Sequence, residues 1–348
     1  MERYEHTALT QWTAEVLQAA GISEPHSAVA APLLVRTSLR GVDAHGISRI
    51  PVYLQRIAAG EITSNDPQAE WRDGALHVDG GGALGQVAAT FAVDQVVEAT
   101  EKVATAACVI TNCGHLSALG VFALQAAEQG RVALVCQRTP VVMGLPGSPR
   151  ANIGNNPLAF AAPERGKSPL VFDMANSVAA RGRIQQAARD NAPIPDDWAV
   201  GGDGQPTTEA AAALLGYLRP MSGHKGVGLA MMVEVLTSGL AGWPTLADKA
   251  QGGSGIGAFI LAINPGLLCG QEVFEEGMHK WLRQFLNTSG VGARFPGQRQ
   301  AAMEKERRAS GIPLPKSVVN ELREAGHSVG RPFDVLPAKA ASHTKTEP

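Results

Sequence analysis

Gly41-Val-Asp-Ala-His-Gly-Ile-Ser-Arg49 sets an acid, an imidazole and a guanidinium within nine residues. Before it, Ser27 to Leu39 reads as an amphipathic helix. After it, Ile50 to Ile57 places apolar side chains at helical spacing and stops at Gly60. Gly41 and Gly46 bracket the turn, and both tolerate the positive φ that a sharp turn calls for. His45 and Arg49 are then expected at a helix boundary, about one helical turn apart. A guanidinium fork fits a carboxylate bidentately, and an imidazole gives or takes a proton near neutral pH. Together they suit a small acid whose neighbouring carbon changes oxidation state. The plainer reading is that Asp43 and His45 cap a helix and Arg49 is a solvated surface charge.

The 348 residues are enough for two domains or one large elaborated one. Hydrophobic residues at 45% and charged residues at 18% are an ordinary soluble balance. The formal net charge of −2 argues against a nucleic-acid surface. Met1-Glu-Arg-Tyr-Glu-His-Thr7 has no basic region leading into an apolar run, so no secretory signal is expected. No run of about 18 apolar residues exists to cross a membrane. Cys108, Cys113, Cys136 and Cys269 form no C-x-x-C pair, and three of them lie in apolar strand-like or loop contexts, so buried free thiols in a reducing cytoplasm are the expectation.

Outward from the turn, residues 7–20 read as a helix closed by Gly21, and Ala75 to Asp79 as a short strand. Gly80-Gly-Gly-Ala-Leu-Gly85 then matches G-x-G-x-x-G and opens a helix, Gln86 to Thr100. Strand–helix units do not repeat regularly around it, and glycine-rich runs match by chance in a chain with 39 glycines, so a dinucleotide fingerprint is not expected there. Val103 to Thr111 is a buried strand running into Asn112-Cys-Gly-His-Leu-Ser-Ala-Leu-Gly120, with a helix from Val121 to Gln129 behind it. Free N–H groups and the helix dipole meet at such a junction, where ligands bind. His115 there is either bonded to the local backbone or a catalytic or cofactor residue. Val132 to Cys136, Pro169 to Asp173 and Ala258 to Ile263 read as strands. Asp173 either caps a helix or orients an imidazole. Residues 190–208 and the connection from Trp243 to Gly253 read as loop. Val227 to Leu240, Phe274 to Asn287, Glu304 to Gly311 and Pro315 to Ala325 read as helices. Lys225 stands at the entrance to the first of them.

Taken together, these pieces resemble the malate/L-lactate dehydrogenase family of nicotinamide oxidoreductases. This is the non-Rossmann family that also includes ureidoglycolate dehydrogenase, diketogulonate reductase, sulfolactate dehydrogenase and the Δ1-piperideine-2-carboxylate/Δ1-pyrroline-2-carboxylate reductases. The resemblance runs from about Leu9 to Gly326. It is carried, in order, by Asp43-Ala-His-Gly-Ile-Ser-Arg49, Asn112 to Gly120, Gly154-Asn-Asn-Pro157, Asp173-Met-Ala-Asn-Ser177, Asp203-Gly-Gln-Pro-Thr207, Gly223-His-Lys-Gly226 and Phe295-Pro-Gly297. It implies an α/β (mixed α+β) fold around a mixed, largely antiparallel sheet with flanking helices, working as a homodimer. It also implies a helical substrate and dimer domain of residues 1–75 plus 288–336, an NAD(P)-binding domain of 76–287, and a disordered tail, 337–348. NADPH or NADH would contact His115, Leu116, Ser117, Ala118 and Leu119, then Asp173, Met174 and Ala175, then His224 and Lys225. Phe295, Pro296, Gly297 and Arg299 complete that set. No metal is implied.

The resemblance implies hydride transfer to the C=O or C=N carbon beside a carboxylate, with a proton delivered to the heteroatom. His45 is the first choice for that proton and His115 the second. Asp173 would orient the imidazole and favour its charged form, Arg49 would hold the substrate carboxylate, and Asn155 would touch the substrate. Four departures bear on the substrate. Ala44 stands where many relatives have Ser, Asn155 where Thr is common, and Asn176 where Thr is common. Gln137-Arg138-Thr139 replaces a stretch that usually contains Asn. Two substrate classes stay open, cyclic 2-imino acids and 2-oxo acids, the latter with malate- or lactate-type hydroxy acids as reverse substrates. A non-catalytic paralogue that binds NAD(P) is the alternative from another class. A metal hydrolase is disfavoured, because the histidines lack H-x-x-x-H spacing.

Overall fold

The computed structural model describes residues 1–145, 147–242 and 256–337. The expected connection from Trp243 to Gly253 and all but the first residue of the expected tail lie outside the described residues. The chain divides into two compact units: Met1–Ser64 together with the chain from Gly297 onward, and Asn65–Pro296. The second begins just before the hairpin strand Gln68–Arg72, which pairs antiparallel with Ala75–Asp79. Among the described residues no helix is long and apolar enough to cross a membrane.

The first unit is mostly helical. His6–Ala19 and Glu24–Leu39 pack together, burying Leu9, Trp12, Val16, Leu17, Leu34 and Val35. Trp12 donates Nε1–H to the Pro332 carbonyl at 3.1 Å and meets Phe333 edge-on, ring centroids 4.8 Å apart. Two antiparallel strands, Glu2–Tyr4 and Ile312–Leu314, join the two ends of the chain. The expected terminal helices are longer than their apolar pattern: Gln298–Ser310 and Lys316–Ser328. The former starts at Gly297, in left-handed conformation at φ 97°. Its first turn has no apolar periodicity to read.

A seven-stranded sheet forms the second unit. Its order is Gln68–Arg72, Ala75–Asp79, Thr105–Thr111, Ala258–Ile263, Val132–Gln137, Leu158–Ala162, Leu170–Met174. Ala75–Asp79 with Thr105–Thr111 is the parallel pair, and the other five pairings are antiparallel, so the mixed, largely antiparallel sheet is as expected. The central strands are continuous apolar runs because helices cover both faces. Gly85–Ala99 and Gly120–Glu128 pack against the sheet. In a separate cluster one cross-strand row, Val109–Phe259–Cys136–Leu158, packs on Val233 of the helix His224–Glu234. Leu158 registers with Met174, which joins the same cluster. The pleat therefore sends the next residue back, Asp173, to the other face.

A smaller four-stranded sheet, Ala199–Val200, Tyr217–Leu218, Val141–Met143 and Ile153–Gly154, closes over Ile184, Ile194 and Ala213. Within the expected loop 190–208 the structure places the short strand Ala199–Val200. Ahead of that loop it places a helix, Arg181–Arg189, which buries Ile184 alone. One apolar anchor leaves no period to read.

Candidate active site

In the first unit the turn is tighter than helical. Asp43–His45 and Ile47–Arg49 are each one turn of 3₁₀ helix, and the α-helix Ile50–Ala58 starts one residue after Arg49. Gly41 has the expected positive φ, 77°. Gly46 does not, at φ −96°; it is glycine for a different reason. A Cβ there would run into Ser38 Oγ and the Ser38 backbone. The same Ser38 hydroxyl accepts the Ile47 N–H at 3.1 Å, so the helix before the turn fixes the turn's middle.

Burial first, and then the positive charge of Arg49, push the His45 imidazole down to about 4. Both causes favour the neutral ring. The Arg49 Nε is buried and meets no hydrogen-bond partner among the described residues. A buried donor left unmet costs about 1–3 kcal/mol, and none of the described residues supplies the acceptor.

Apart from Gly297 and Arg299, which belong to the first unit, the other candidates lie in the second unit, gathered by the strand Leu170–Met174 and its continuation. Val171 N–H bonds the Pro296 carbonyl at 3.1 Å, and Phe295 packs on Leu170 and Leu282. Asp173 Oδ2 accepts the Gly120 N–H at 2.8 Å, so this acid does cap a helix, the one that follows the His115–Leu119 loop. A Cβ on Gly120 would press on the same carboxylate. Asn176 N–H bonds the Asn155 carbonyl at 2.9 Å, and its own carbonyl accepts Met221 N–H at 2.8 Å. Met221 leads through Ser222 and Gly223, both at positive φ, to His224 and Lys225, exposed at the start of their helix. Arg299 is exposed in the first turn of the helix Gln298–Ser310.

The loop itself is strained and braced. Ser117 is buried at φ 75°, a conformation that persists when its surroundings over-determine it. Gln137, 1% exposed, supplies much of that bracing. Its Oε1 accepts the Leu116 N–H at 3.0 Å and its Nε2 donates to the Gly114 carbonyl at 3.2 Å. Gln86 donates to the Leu116 carbonyl at 3.3 Å. Gly85 sits so close to the His115 carbonyl that no Cβ fits. The last glycine of the G-x-G-x-x-G run is thus a packing residue against this loop. Gln137→Leu is expected to leave Leu116 N–H and the Gly114 carbonyl unpaired and cost about 1–3 kcal/mol. A denaturant titration checks this, and an unchanged midpoint would contradict it.

Thr139 braces Asn155. Its hydroxyl donates to Asn155 Oδ1 at 2.8 Å and accepts the Asn156 N–H at 3.1 Å. Asn156, fully buried, accepts Thr139 N–H and donates to the Ala230 carbonyl and to Glu234, which pairs with Arg138 at 2.9 Å. The Gln137-Arg138-Thr139 stretch, singled out as a departure, thus holds three things at once. Gln137, the last residue of its strand, reaches the loop at Gly114 and Leu116, while Arg138 and Thr139 both serve the Asn156–Glu234 network. Among the described residues no three His, Cys, Asp or Glu side chains are grouped to hold a metal. Cys108, Cys113 and Cys136 are buried free thiols, and Cys269 is exposed.

Residues 4–323 match the family model described as malate/L-lactate dehydrogenase. The chain is 34% identical over 312 residues to ureidoglycolate dehydrogenase (NAD(+)) of Escherichia coli O157:H7, covering 85% of this chain and 87% of that one. It is 32% identical over 320 residues to Δ1-pyrroline-2-carboxylate reductase of Pseudomonas fluorescens, covering 89% and 94%. The crystal structure of malate dehydrogenase from Entamoeba histolytica superposes with a TM-score of 0.88 at 25% identity, over 96% of this chain and 99% of that one. With this mixed sheet, these ordered motifs and a family match over residues 4–323, the chain belongs to the malate/L-lactate dehydrogenase family of NAD(P)-dependent oxidoreductases.

Proposed function

We propose that this oxidoreductase moves a hydride between the nicotinamide and the carbon beside a carboxylate, with Arg49 as the carboxylate anchor and His45 as the proton carrier. The observation that carries the reading is the placement of His45 and Arg49 on two successive 3₁₀ turns, close enough for the Arg49 charge to lower the His45 pKa. His115 is the second acid–base candidate, and Asn155, held by Thr139, is a substrate contact. Asp173 orients an imidazole of the site while one of its oxygens holds Gly120. The sheet unit carries NADPH or NADH and the helical unit the substrate.

The dinucleotide is anionic at its phosphates, and the residues fit it. His224 and Lys225 are exposed at a helix N-terminus, where unpaired N–H groups favour anions. A Cβ at Gly223 would meet nothing within 4 Å, so a ligand has room to approach. The His115–Leu119 loop, Asp173 to Ala175, Phe295 to Gly297 and Arg299 complete the proposed contacts. When bound, the nicotinamide gives or takes the hydride.

A neutral His45 sorts the substrates. It is ready to take the hydroxyl proton of a 2-hydroxy acid. It is also sufficient for a cyclic imine, whose basic nitrogen arrives protonated. A 2-oxo acid needs the proton delivered in the transition state. A substrate carboxylate on Arg49 offsets part of the charge that depresses His45, which eases that delivery. Burial and the Arg49 charge hold the His45 imidazole below its ordinary range, at about 4. So kcat/KM for hydroxy-acid oxidation should stay level from neutral pH down to about 5 and fall below that. A midpoint near 6.5 would contradict the assignment of His45 as the base.

The test of the whole reading is a panel of cyclic imino acids, 2-oxo acids and 2-hydroxy acids with both cofactors, followed by nicotinamide absorbance. Turnover of at least one class is expected, and none would sink the reading. We further propose that the protein works as a homodimer in the cytoplasm. The exposed cross-strand pair Phe160 and Phe172 supports the first. The buried reduced thiols support the second.

A further inference from the structure

Arg307 lies 264 residues beyond Asp43 in sequence, and its guanidinium meets that carboxylate with both arms, Nη1 to Oδ1 at 2.5 Å and Nη2 to Oδ2 at 3.2 Å. Nη1 also donates to the Ser38 carbonyl at 2.5 Å. One side chain therefore spans the last turn of the helix Glu24–Leu39 and the first residue of the 3₁₀ turn. Asp43 is the inner post of that turn. Its carbonyl accepts Gly46 N–H at 3.3 Å and Ser48 Oγ at 2.5 Å. One helical turn before Arg307, Glu304 bonds Arg40 at 2.9 Å and Arg36 at 3.3 Å, with Arg308 at 2.8 Å behind it. Burial works against the Glu304 charge, yet the three arginines outweigh it and lower its pKa. Met303 fills the space beside Gly41 so closely that no Cβ fits there.

A polar clamp of this kind is a poor choice for stability alone. Desolvating a guanidinium is costly, and packed apolar side chains would join two helices at least as well. What a bidentate pair adds is orientation. Arg307 is 8% exposed and fixed at three bonds, while the Asp43 side chain remains half open at 51%. The fixed partner is thus the distant arginine, and the part it fixes is the turn. His45 follows Asp43 by two residues and Arg49 by six.

We propose that Arg307 is a positioning residue for the His45–Arg49 turn, acting through its two-armed hold on Asp43 and its bond to the Ser38 carbonyl. This rests on the proposed roles of His45 and Arg49. Displacing reacting groups by about 1 Å costs on the order of 100-fold. Arg307→Gln should therefore lower kcat by about 10- to 100-fold well below its melting temperature, with the KM for NAD(P)H within about 2-fold of the parent. Arg307→Lys keeps the charge without the fork and should recover only part of the loss. Asp43→Asn should reproduce the defect, and the double variant should be no worse than the worse single one, because both break the same path.

A purely structural role would lower the melting temperature and leave kcat at low temperature within about 2-fold, and that result overturns the proposal. So do strictly additive losses in the double variant. A readout without turnover separates this from failure of the functional reading. In protein labelled with ¹³C-histidine, the ring signal lost in His45→Ala should shift alike in Arg307→Gln and Asp43→Asn. If that signal is unmoved in both, the proposal fails even when the parent turns substrate over. If it moves while the parent turns over nothing on the panel, the positioning stands and the functional reading falls.

Discussion

Replacing His45 by alanine is expected to lower kcat for a 2-oxo acid or 2-hydroxy acid by roughly 10²–10⁴-fold, the range for losing a positioned acid–base group. The same change should cost a cyclic imino acid far less. An imine nitrogen reaches the site protonated, so the group that is lost was not delivering its proton. The structure sharpens this contrast, because burial and Arg49 hold His45 near a pKa of 4 in the free protein. Steady-state kinetics on both substrate classes check it. If His45→Ala is nearly silent on every substrate and His115→Ala abolishes turnover, the acid has been assigned to the wrong loop.

Arg49→Lys should keep the charge and lose the fork. An ammonium is a compact point charge and does not bridge both carboxylate oxygens in a plane. A hydrogen bond to a charged group contributes about 1.5–3 kcal/mol, so the substrate KM should rise by about 10- to 150-fold at about 1.4 kcal/mol per decade. kcat should change little, since the lost contact serves ground state and transition state alike. A KM within about 3-fold of the parent would show that the buried Nε answers to something other than the substrate carboxylate.

Local patterns were the legible part of this fold. Alternating and continuous apolar runs mark the strands Ala75–Asp79, Thr105–Thr111 and Ala258–Ile263, and the ordered motifs point to the mixed, largely antiparallel sheet. Gly41 was legible as a turn glycine from its place in the chain. The reason for Gly46 was not, because it is a contact with Ser38 and no sequence spacing records a missing Cβ. The lowering of the His45 pKa by burial was not legible, because enclosure of a ring depends on packing, which a list of neighbours along the chain does not contain. Gln137, Thr139 and Arg307 were missed as supports for the same reason. Their partners are 21, 16 and 264 residues away, and each bond joins separate elements. The one available signal was the Gln137-Arg138-Thr139 departure, which marked the place without revealing what it holds.

The most direct test of the account is a comparison of kcat/KM for one good carboxylate substrate and for its primary carboxamide, in the parent and in Arg49→Lys. The parent is expected to prefer the carboxylate by at least about 10-fold, and Arg49→Lys to reduce that preference without abolishing it, because the ammonium keeps the charge and loses the fork that reads both carboxylate oxygens. Equal kcat/KM for acid and amide in the parent would contradict it.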